Sequence, residues 1–488
     1  MGSTFMTVVG TGMYKECTYG LNNLEFKSRF VQEAELRILK EQGEKIDKII
    51  CFATEEAEDC NWEKFRRVFV GMKNRELRNV EVPDEVKDFL DRQGKWEDKT
   101  ITDRGLKELF SEIYPEAEIQ CVRIPIGSNE DELLEIFTAM YQAMGEKDDL
   151  YIDVTHGFRS MPMLYIPVIK YAEALKNIRV KAIYYGAYEV SGDKKPVFDL
   201  VVYKEILDWA FGSKNFIEYG ISADLRKTAG ERQGIKARKR DFSFNEAGRF
   251  VNLLDGFTKC IQTGRGNEIP TDKSGQEKMC IRREYELLIN FDLNTLTFPV
   301  LIPLLDKVRD SISEFAVKGN TATGLATVHW CRDKYMIQQG YTALEETIKS
   351  FVCDLYGFRD EVRMEIRDNV VGNAMSFCNS LFMDYARKNG KSNATQWYKE
   401  NQNRFFDMRG DWKIPSGENE AEFKKVAESV PLDLVQILAD VKDKRNDINH
   451  FGMRNSASKP DKLKQIFEKQ VDLFDELYEK YQFKGYFE

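Results

Sequence analysis

The sequence predicts an α/β, Rossmann-like N-terminal domain followed by an all-α C-terminal domain. Two observations support this fold class. Between residues 1 and 202, short β-branched and apolar runs alternate with amphipathic helical stretches, as in parallel sheets covered by helices. From Tyr203 onwards the strand signals stop and nearly every segment has helical periodicity. At 488 residues the chain is long enough for two or three domains.

About six strands are expected in the N-terminal domain, each a short apolar or β-branched run that ends near a turn. The predicted strands are 5–9, 48–54, 118–125, 149–154, 180–186 and 197–202. Between them, we expect one helix over 29–42, another over 130–144, and a third that ends at Leu175.

Three regions are expected along the chain. They are a Rossmann-like domain over 1–202, a helical connecting region with polar insertions over 203–318, and a helical domain over 319–488. Polar loops are predicted at 226–240, 263–278 and 401–421. The first is rich in Arg and Lys, for which a solvated loop is the simpler explanation, and local guidance of RNA on an acidic protein is the alternative.

The composition is that of an ordinary globular protein, 42% hydrophobic with a net charge of −9. The negative charge excludes polyanion binding by the whole surface, so any nucleic-acid contact must be local. The nine cysteines are scattered without a C-x-x-C pair, so neither a zinc site nor a disulfide framework is expected. No apolar run is long enough to span a membrane and no signal peptide is evident, so we expect a cytoplasmic protein without membrane contact.

Three loops are candidates for binding a ligand. They follow predicted strands, and ligands of Rossmann-like sheets bind beyond the carboxyl ends of the strands. Their glycines, hydroxyl or amide side chains and free backbone N–H groups suit a phosphodiester or an adenine. NAD is not favoured, because the third glycine of the dinucleotide fingerprint is missing and no acidic residue ends the second strand. The candidates are Gly10, Thr11 and Gly12, then Gly127, Ser128 and Asn129, and then Thr155, His156, Gly157 and Arg159. For His156, the alternative is a strand-to-helix turn in which the imidazole only satisfies backbone carbonyls.

The chain has three histidines, and His450 follows Arg445 by five positions at the end of a predicted helix that Gly452 stops. An imidazole moves protons near neutral pH, and a guanidinium stabilises charge on phosphoryl oxygens, while Asn446 is placed to orient either group. On an ideal helix Arg445 and His450 lie roughly 140° apart, so a second copy across a two-fold axis presents them better to one substrate. The pattern suits RNA cleavage without a metal. Its alternative is a partly exposed helix end at which His450 favours the helix dipole.

The segment Arg445-Asn446-x3-His450 resembles the Arg-polar-x3-His signature of HEPN ribonucleases. The resemblance implies a homodimer whose composite site uses the arginine and histidine of both subunits. Arg445, Asn446 and His450 would then be the catalytic residues, and no metal would be bound.

The segment from Asp153 to Arg159 resembles the ligand loop of CARF domains, the Rossmann-like sensors of CRISPR-associated proteins. The run Val9-Gly10-Thr11-Gly12, the helix that begins near Phe30, and Ile124-Pro125-x-Gly127 are similar to that family as well. The resemblance covers most of residues 1–202. It implies a cyclic oligoadenylate ligand, a cyclic tetra- or hexaadenylate, bound across a CARF dimer by the three candidate loops.

Together the two halves resemble the CARF–HEPN accessory ribonucleases of type III CRISPR systems, of the Csx and Csm type. This implies a homodimer, or a higher even-numbered homo-oligomer, in which cyclic oligoadenylate allosterically activates metal-independent cleavage of single-stranded RNA in antiviral defence. The substrate's own 2′-hydroxyl would attack and leave a 2′,3′-cyclic phosphate. One alternative is a non-catalytic cyclic-nucleotide-sensing regulator or nucleic-acid-binding protein. Another is a DNA nuclease, which needs a metal-binding carboxylate cluster that the sequence does not show at motif spacing.

Overall fold

The chain divides into two compact units, Met1–Glu205 and Ile206–Glu488. The first unit is built around a sheet and the second from helices. The subdivision of the second at residue 318 remains a prediction. The structure, a computed structural model, describes residues 2–11, 14–69, 99–157, 161–238, 245–266, 279–358, 365–453 and 457–482.

The described part of the first unit contains one eight-stranded sheet and one two-stranded sheet. The large sheet has the order β3-β2-β10-β9-β8-β1-β4-β7, and β5 pairs with β6. The strands are β1 (Ser3–Val9), β2 (Cys17–Leu21), β3 (Leu24–Ser28), β4 (Lys48–Ala53), β5 (Lys64–Phe69), β6 (Lys99–Arg104), β7 (Glu118–Arg123), β8 (Asp149–Asp153), β9 (Arg179–Gly186) and β10 (Lys194–Asp199). The helices of this unit are α1 (Val31–Glu41), α2 (Glu55–Asn61), α3 (Leu106–Ile113), α4 (Glu130–Ala143) and α5 (Met161–Lys176).

The centre of the large sheet is parallel. Strand β1 pairs in parallel with β4 and with β8, and the parallel pairing continues to β7 on one side and β9 on the other. Strand β10 is antiparallel to β9, and β3 is antiparallel to β2. The carboxyl ends of the central strands therefore meet at one edge of the sheet. The Rossmann-like α/β prediction is confirmed.

Helices cover both faces of this sheet. Phe5 of β1 lies in a core with residues of α1 and α3, whereas its neighbour Met6 lies in a core with residues of α4 and α5. Successive strand residues point to opposite faces, so a strand covered on both sides is apolar at every position. This explains the uninterrupted burial of residues 4–9.

The sequence pattern underestimates the strands at the edge of the sheet. The hairpin of β2 and β3, joined through Asn22 with a φ of 55°, was not predicted. The expected strand at 197–202 is wrong at its end, because helix α6 (Val201–Tyr219) already begins there. The Asp199 carboxylate accepts the backbone N–H of Val201 at 3.1 Å, which favours the start of a helix.

The second unit is helical wherever the structure describes it, as predicted. Besides α6, which crosses the boundary between the units, and a π-helix over Glu365–Gly372, its α-helices are α7 (Ala223–Arg238), α8 (Asn245–Gln262), α9 (Ile281–Ile289), α10 (Ile302–Asp310), α11 (Asn320–Asp333), α12 (Ile337–Leu355), α13 (Asn373–Asn389), α14 (Lys391–Asn401), α15 (Glu418–Ala427), α16 (Leu432–Asn449) and α17 (Pro460–Gln482). Among the helices described, none is both long enough and apolar enough to cross a membrane.

Part of the predicted loop structure of this unit is wrong. The basic stretch 226–240 lies in helix α7 as far as Arg238, because its Lys, Arg, Ala and Gln residues are good helix formers. Positions 239 and 240 lie outside the described residues, as does most of the loop predicted at 263–278. Within the stretch 401–421, a short 3-10 helix covers Gln402–Met408.

Helix α12 packs against both α16 and α17. Leu344, Val441 and Phe467, one from each of the three helices, belong to one apolar core. Gly340 makes the approach of α12 and α17 possible, since a Cβ atom at this position would lie 2.3 Å from the Phe467 ring. This packing places the C-terminal end of α16 beside α12.

Candidate functional site

A cavity of about 400 Å³ lies at the carboxyl edge of the large sheet, bounded by segments that follow β1, β4, β7, β8 and β9. The predicted ligand residues Gly10, Thr11, Thr155, His156 and Gly157 all line it. Its volume is in the range of pockets that bind small molecules. The structure therefore brings together residues from two of the three predicted loops.

Asp153, fully buried at the end of β8, organises the loop that follows this strand. Its carboxylate accepts hydrogen bonds from the Thr7 hydroxyl at 2.6 Å and from the backbone N–H of Thr155 at 2.8 Å. The Thr155 hydroxyl in turn accepts the N–H of Gly186 at 2.8 Å. Burial raises the pKa of the Asp153 carboxyl, while His156 and the hydrogen bonds from both threonines act in the opposite direction. These bonds connect the ends of β1, β8 and β9 beside the cavity.

The His156 imidazole lies at the cavity wall with its edge towards Tyr14, at 4.8 Å between ring centroids. Burial lowers the pKa of His156, and the nearby Asp153 only partly opposes this. The ring is therefore neutral at pH 7. Its Nε2 atom is shut off from solvent and has no hydrogen-bond partner among the described residues, so the carbonyl-satisfying alternative finds no support at this atom. A buried ring nitrogen without a partner is suited to a hydrogen bond with a ligand.

Several of the backbone N–H groups that we expected to be free are engaged within the protein. The N–H of Gly10 donates to the Tyr14 hydroxyl at 3.0 Å, and those of Gly127 and Ser128 donate to the Glu132 carboxylate at 2.8 Å. For these N–H groups the prediction that they are free to bind a ligand is wrong, because folded loops pair their own backbone donors.

The loop of Gly127, Ser128 and Asn129 forms the start of helix α4. The Asn129 side chain accepts the N–H of Glu132 at 2.9 Å, as an N-terminal cap does. Gly127 has a φ of 81°, which explains the glycine. These three residues are not among those that line the cavity, and Ile124 and Pro125 just before them are. Their contact with a ligand remains a prediction.

Two predicted ligand residues, Gly12 and Arg159, lie outside the described residues. The structure also adds residues to the cavity wall that sequence reasoning missed, notably Lys15, Tyr185 and Tyr188. Lys15 is exposed and brings a positive charge to the cavity. Lys15 could have been predicted as a cavity residue from its position soon after the first glycine loop. The positions of the two tyrosines could not, because they depend on how β9 ends.

The second candidate site lies at the end of helix α16. Arg445 and Asn446 occupy its last turns, and His450 follows as the C-terminal cap, with its N–H donated to the Asn446 carbonyl at 3.0 Å. Phe451 and Gly452, with φ values of 57° and 67°, then turn the chain away. The helix therefore ends where the sequence predicts.

Three of the polar side chains in this segment, those of Arg445, Asp447 and His450, differ in their surroundings. His450 is exposed, whereas the Arg445 side chain is 26% exposed and its Nη1 lies 2.9 Å from Oε2 of Glu345 on α12. Asp447 points inward, buried, and accepts the N–H of Ser458 at 2.9 Å. Phe451, next to His450, is 88% exposed.

Arg445 belongs to a charged cluster, here called the ion network, of Glu345, Glu346, Lys349, Arg367, Asp368 and Arg445. Lys349 lies at its centre, 3.2 Å from Glu345, 2.9 Å from Glu346 and 2.8 Å from Asp368. Burial opposes the charge of Lys349, but the neighbouring carboxylates outweigh it and raise the pKa. Burial likewise acts to raise the pKa of Glu346, but Lys349 and Arg367 outweigh it and lower the pKa.

His329 lies 3.0 Å from the Asp475 carboxylate of α17. Within the described ranges, no group of three or more His, Cys, Asp or Glu side chains is placed to hold a metal ion. Metal independence remains a prediction.

Known proteins are similar to parts or all of this chain. Residues 4–189 match the family model described as CRISPR system endoribonuclease Csx1, CARF domain. Over 334 residues the chain is 25% identical to the CRISPR-associated protein MJ1674 of Methanocaldococcus jannaschii, a match that covers 64% of this chain and 47% of the relative. The chain thus spans about half the length of the curated relative. The structure of Enterococcus italicus Csm6 bound to cyclic hexa-2′-fluoro-hexa-dAMP covers 97% of this chain and 99% of its own, with 10% identity and a TM-score of 0.31.

The parallel sheet, the cavity at its carboxyl edge and the matched family model define the first unit as a CARF domain. The chain therefore contains a domain of the kind found in CRISPR system endoribonuclease Csx1, and the role of the whole chain belongs to the proposal below. The HEPN assignment of the second unit remains a prediction.

Proposed function

We propose that the protein is a metal-independent endoribonuclease that cyclic oligoadenylate activates. The ring binds the CARF domain and shifts a homodimer to a state in which the helical units cleave single-stranded RNA. Both the activity and the oligomer are part of the proposal.

The observation that supports ring binding best is the cavity at the carboxyl edge of the CARF sheet. Its wall combines an unpaired Nε2 of His156, the exposed Lys15 and the ring of Tyr188, which suit an adenine edge, a phosphate and an adenine face respectively. A neutral imidazole is the better partner for a base, because it both donates and accepts a hydrogen bond.

The volume of the cavity supports the dimer. About 400 Å³ suits a single small ligand, and a ring of four or six adenylates is larger than that. A second copy related by a two-fold axis would double the binding surface and match the symmetry of the ring.

The end of α16 supports RNA cleavage. His450 is exposed and able to meet a substrate, and the partly exposed guanidinium of Arg445 is placed to stabilise charge on a phosphate. In the proposed step the 2′-oxygen forms a bond to phosphorus while the bond to the 5′-oxygen breaks. One imidazole accepts the 2′-hydroxyl proton and another protonates the leaving oxygen, which gives a 2′,3′-cyclic phosphate and a 5′-hydroxyl. The exposed Phe451 ring is suited to stacking on an unpaired base.

The test is cleavage of a fluorescent single-stranded RNA in EDTA, without activator and with cyclic tetra- or hexaadenylate separately. We expect one ring to activate the chain, and His450→Ala and Arg445→Ala to lose that activity while they bind the ring as the unmodified chain does. A substrate with a single 2′-deoxy position at the cut site should resist cleavage.

The alternatives predict different results. A ring-binding regulator without nuclease activity would bind the ring and cut nothing. A DNA nuclease would cut the 2′-deoxy substrate and lose activity in EDTA. Ring binding without cleavage under every condition would overturn the nuclease proposal.

A further inference from the structure

The ion network connects the proposed catalytic arginine to a buried acid on another helix. Nη1 of Arg445 lies 2.9 Å from Oε2 of Glu345, whose side chain is 2% exposed, whereas the Arg445 side chain is 26% exposed. One edge of the guanidinium thus meets a carboxylate inside the protein while part of the side chain remains at the surface. A guanidinium has five N–H donors, so one contact at Nη1 does not exhaust it.

Glu345 is itself held in place. Its Oε1 lies 3.2 Å from Nζ of Lys349, which also contacts Glu346 and Asp368. On the far side, Arg367 donates to Glu346 at 2.8 Å and to the Ser350 hydroxyl at 2.6 Å. The carboxylate that faces Arg445 therefore has a fixed position and a counter-charge of its own.

From this geometry we infer that Glu345 is the positioning residue for Arg445. It orients the planar guanidinium on α16 so that the N–H donors of the Nη groups are left for the scissile phosphate of the RNA, since Nε of Arg445 is buried without a partner among the described residues. A long flexible side chain loses rotamer freedom when it binds a phosphate, and a carboxylate that restricts it beforehand lowers that cost in the transition state. The inference rests on the proposed function and adds a residue outside the Arg-x4-His motif.

A purely structural role for Glu345 predicts something else. The acid would then stabilise the packing of α12 and α16, and its loss would affect the amount of folded protein rather than the rate per folded molecule. The two roles are separated by asking whether the effect of Glu345 depends on a guanidinium at position 445.

The test measures single-turnover RNA cleavage with activating ring for Glu345→Gln in two backgrounds, the unmodified chain and Arg445→Lys. An ammonium has no planar fork to orient. We expect Glu345→Gln to lower the rate constant about tenfold in the unmodified chain and less than twofold in the Arg445→Lys background, with substrate affinity little changed in both. Equal losses in both backgrounds, or no loss in either, would overturn the inference.

Two further variants keep the test decisive. Glu345→Asp retains the charge of the ion network but shortens the side chain by a methylene, so it should fold normally and still lose several-fold in rate. Asp433→Asn removes an acid at the other end of α16, where it pairs with Lys480 and Tyr481, and should leave the rate unchanged. An Asp433→Asn rate as low as that of Glu345→Asp would assign the loss to packing and overturn the inference.

The outcome also separates this inference from the proposed function. Suppose that the unmodified chain cleaves RNA when the ring is bound, that Arg445→Lys impairs this cleavage and that Glu345→Gln does not. This result would leave the nuclease proposal intact and overturn only the role of Glu345. Absence of ring-activated cleavage by the unmodified chain would overturn both.

Discussion

The carboxylate of Asp447 accepts the backbone N–H of Ser458 at 2.9 Å, across the turn that follows helix α16. Asp447 is 5% exposed and faces the interior at the helix end, whereas His450 is exposed. The acid within the Arg-x4-His segment therefore connects the helix end to the chain that leads into α17. It holds the turn that carries His450.

We expect Asp447→Ala to destabilise the helical unit by about 1–3 kcal/mol, because it leaves a backbone donor unpaired and removes a buried carboxylate contact. RNA cleavage should fall as well, since His450 loses a fixed position, while ring affinity should not change. Denaturant titration, single-turnover cleavage and calorimetric ring binding measure the three quantities. Asp443→Ala is the matched control, because Asp443 is on the same helix with a side chain 52% exposed. Equal stability of the two variants would contradict a structural role for Asp447.

Much of the CARF sheet could be predicted because its central strands are covered on both faces. Phe5 and Met6 enter different cores, so the strand is buried at every position from 4 to 9 and its apolar and β-branched residues stand out in the sequence. The hairpin of β2 and β3 could not be recognised in this way, because an edge hairpin with half-buried residues lacks such a run.

The candidate sites could be predicted only where the residues are neighbours in sequence. Thr155 and His156 follow a strand directly, and Arg445 and His450 share one helix end. The contact of Glu345 with Arg445 depends on the packing of two helices far apart in the sequence, so no local pattern indicates it. Lys15 and Tyr188 likewise line one cavity only because the sheet brings together the segments that carry them.

Thr155→Val should weaken both the CARF domain and its binding of the ring. The substitution keeps the shape of the side chain but removes the oxygen that accepts the Gly186 N–H, which leaves a donor unpaired beside the cavity. We expect a loss of about 1–2 kcal/mol in stability and a several-fold weaker affinity for the ring. Thr155→Ser keeps the hydroxyl and serves as the control, and it should bind almost as tightly as the unmodified chain. Weak binding by both variants would assign the effect to the lost methyl group instead.

Ring affinity should be nearly constant between pH 6.5 and 8.5. Burial lowers the pKa of His156, so the imidazole is neutral across this range and contributes a hydrogen bond rather than a charge. An imidazolium that attracted phosphate would lose its proton as the pH rose, and affinity would fall with it. Isothermal titration calorimetry across the pH range distinguishes a neutral imidazole from a charged one, with His156→Gln as the variant that cannot titrate. A fall in affinity with rising pH that His156→Gln abolishes would show that the histidine binds as a cation.

Lys15 should provide charge that the ring needs at every pH in that range. Lys15→Ala should weaken ring binding roughly tenfold at low salt, and the dependence of the affinity on salt should become shallower, because fewer counterions are released from the phosphates. Lys15→Arg keeps the charge and is the control. An unchanged salt dependence in Lys15→Ala would place this side chain away from the phosphates.

Glu35 on α1 makes the stability of the CARF domain depend on pH. Its side chain is fully buried, and neither carboxyl oxygen has a hydrogen-bond partner in the described part of the chain. Burial, assisted by the charge of Asp153, raises the pKa of Glu35 well above its ordinary value. In the unfolded chain the carboxyl loses its proton above a pH of about 4.3, whereas in the folded domain it keeps the proton to a much higher pH. Between these two pKa values the folded state binds more protons than the unfolded state. The free energy of unfolding of the domain therefore falls as the pH rises through this range.

We expect Glu35→Gln to be more stable than the unmodified chain at pH 8, by a margin that shrinks as the pH is lowered towards 5. The amide keeps the shape of the side chain and cannot ionise, so the margin grows by at most about 1.4 kcal/mol per pH unit. Calorimetric unfolding of both chains at pH 5.5, 6.5 and 8 measures it, and all other titrating groups are common to the two proteins. Glu41→Gln, at an exposed position of the same helix, is the control and should give a margin near zero at each pH. A Glu35→Gln margin that stays constant with pH would mean that the buried carboxyl already has a compensating partner in the folded domain.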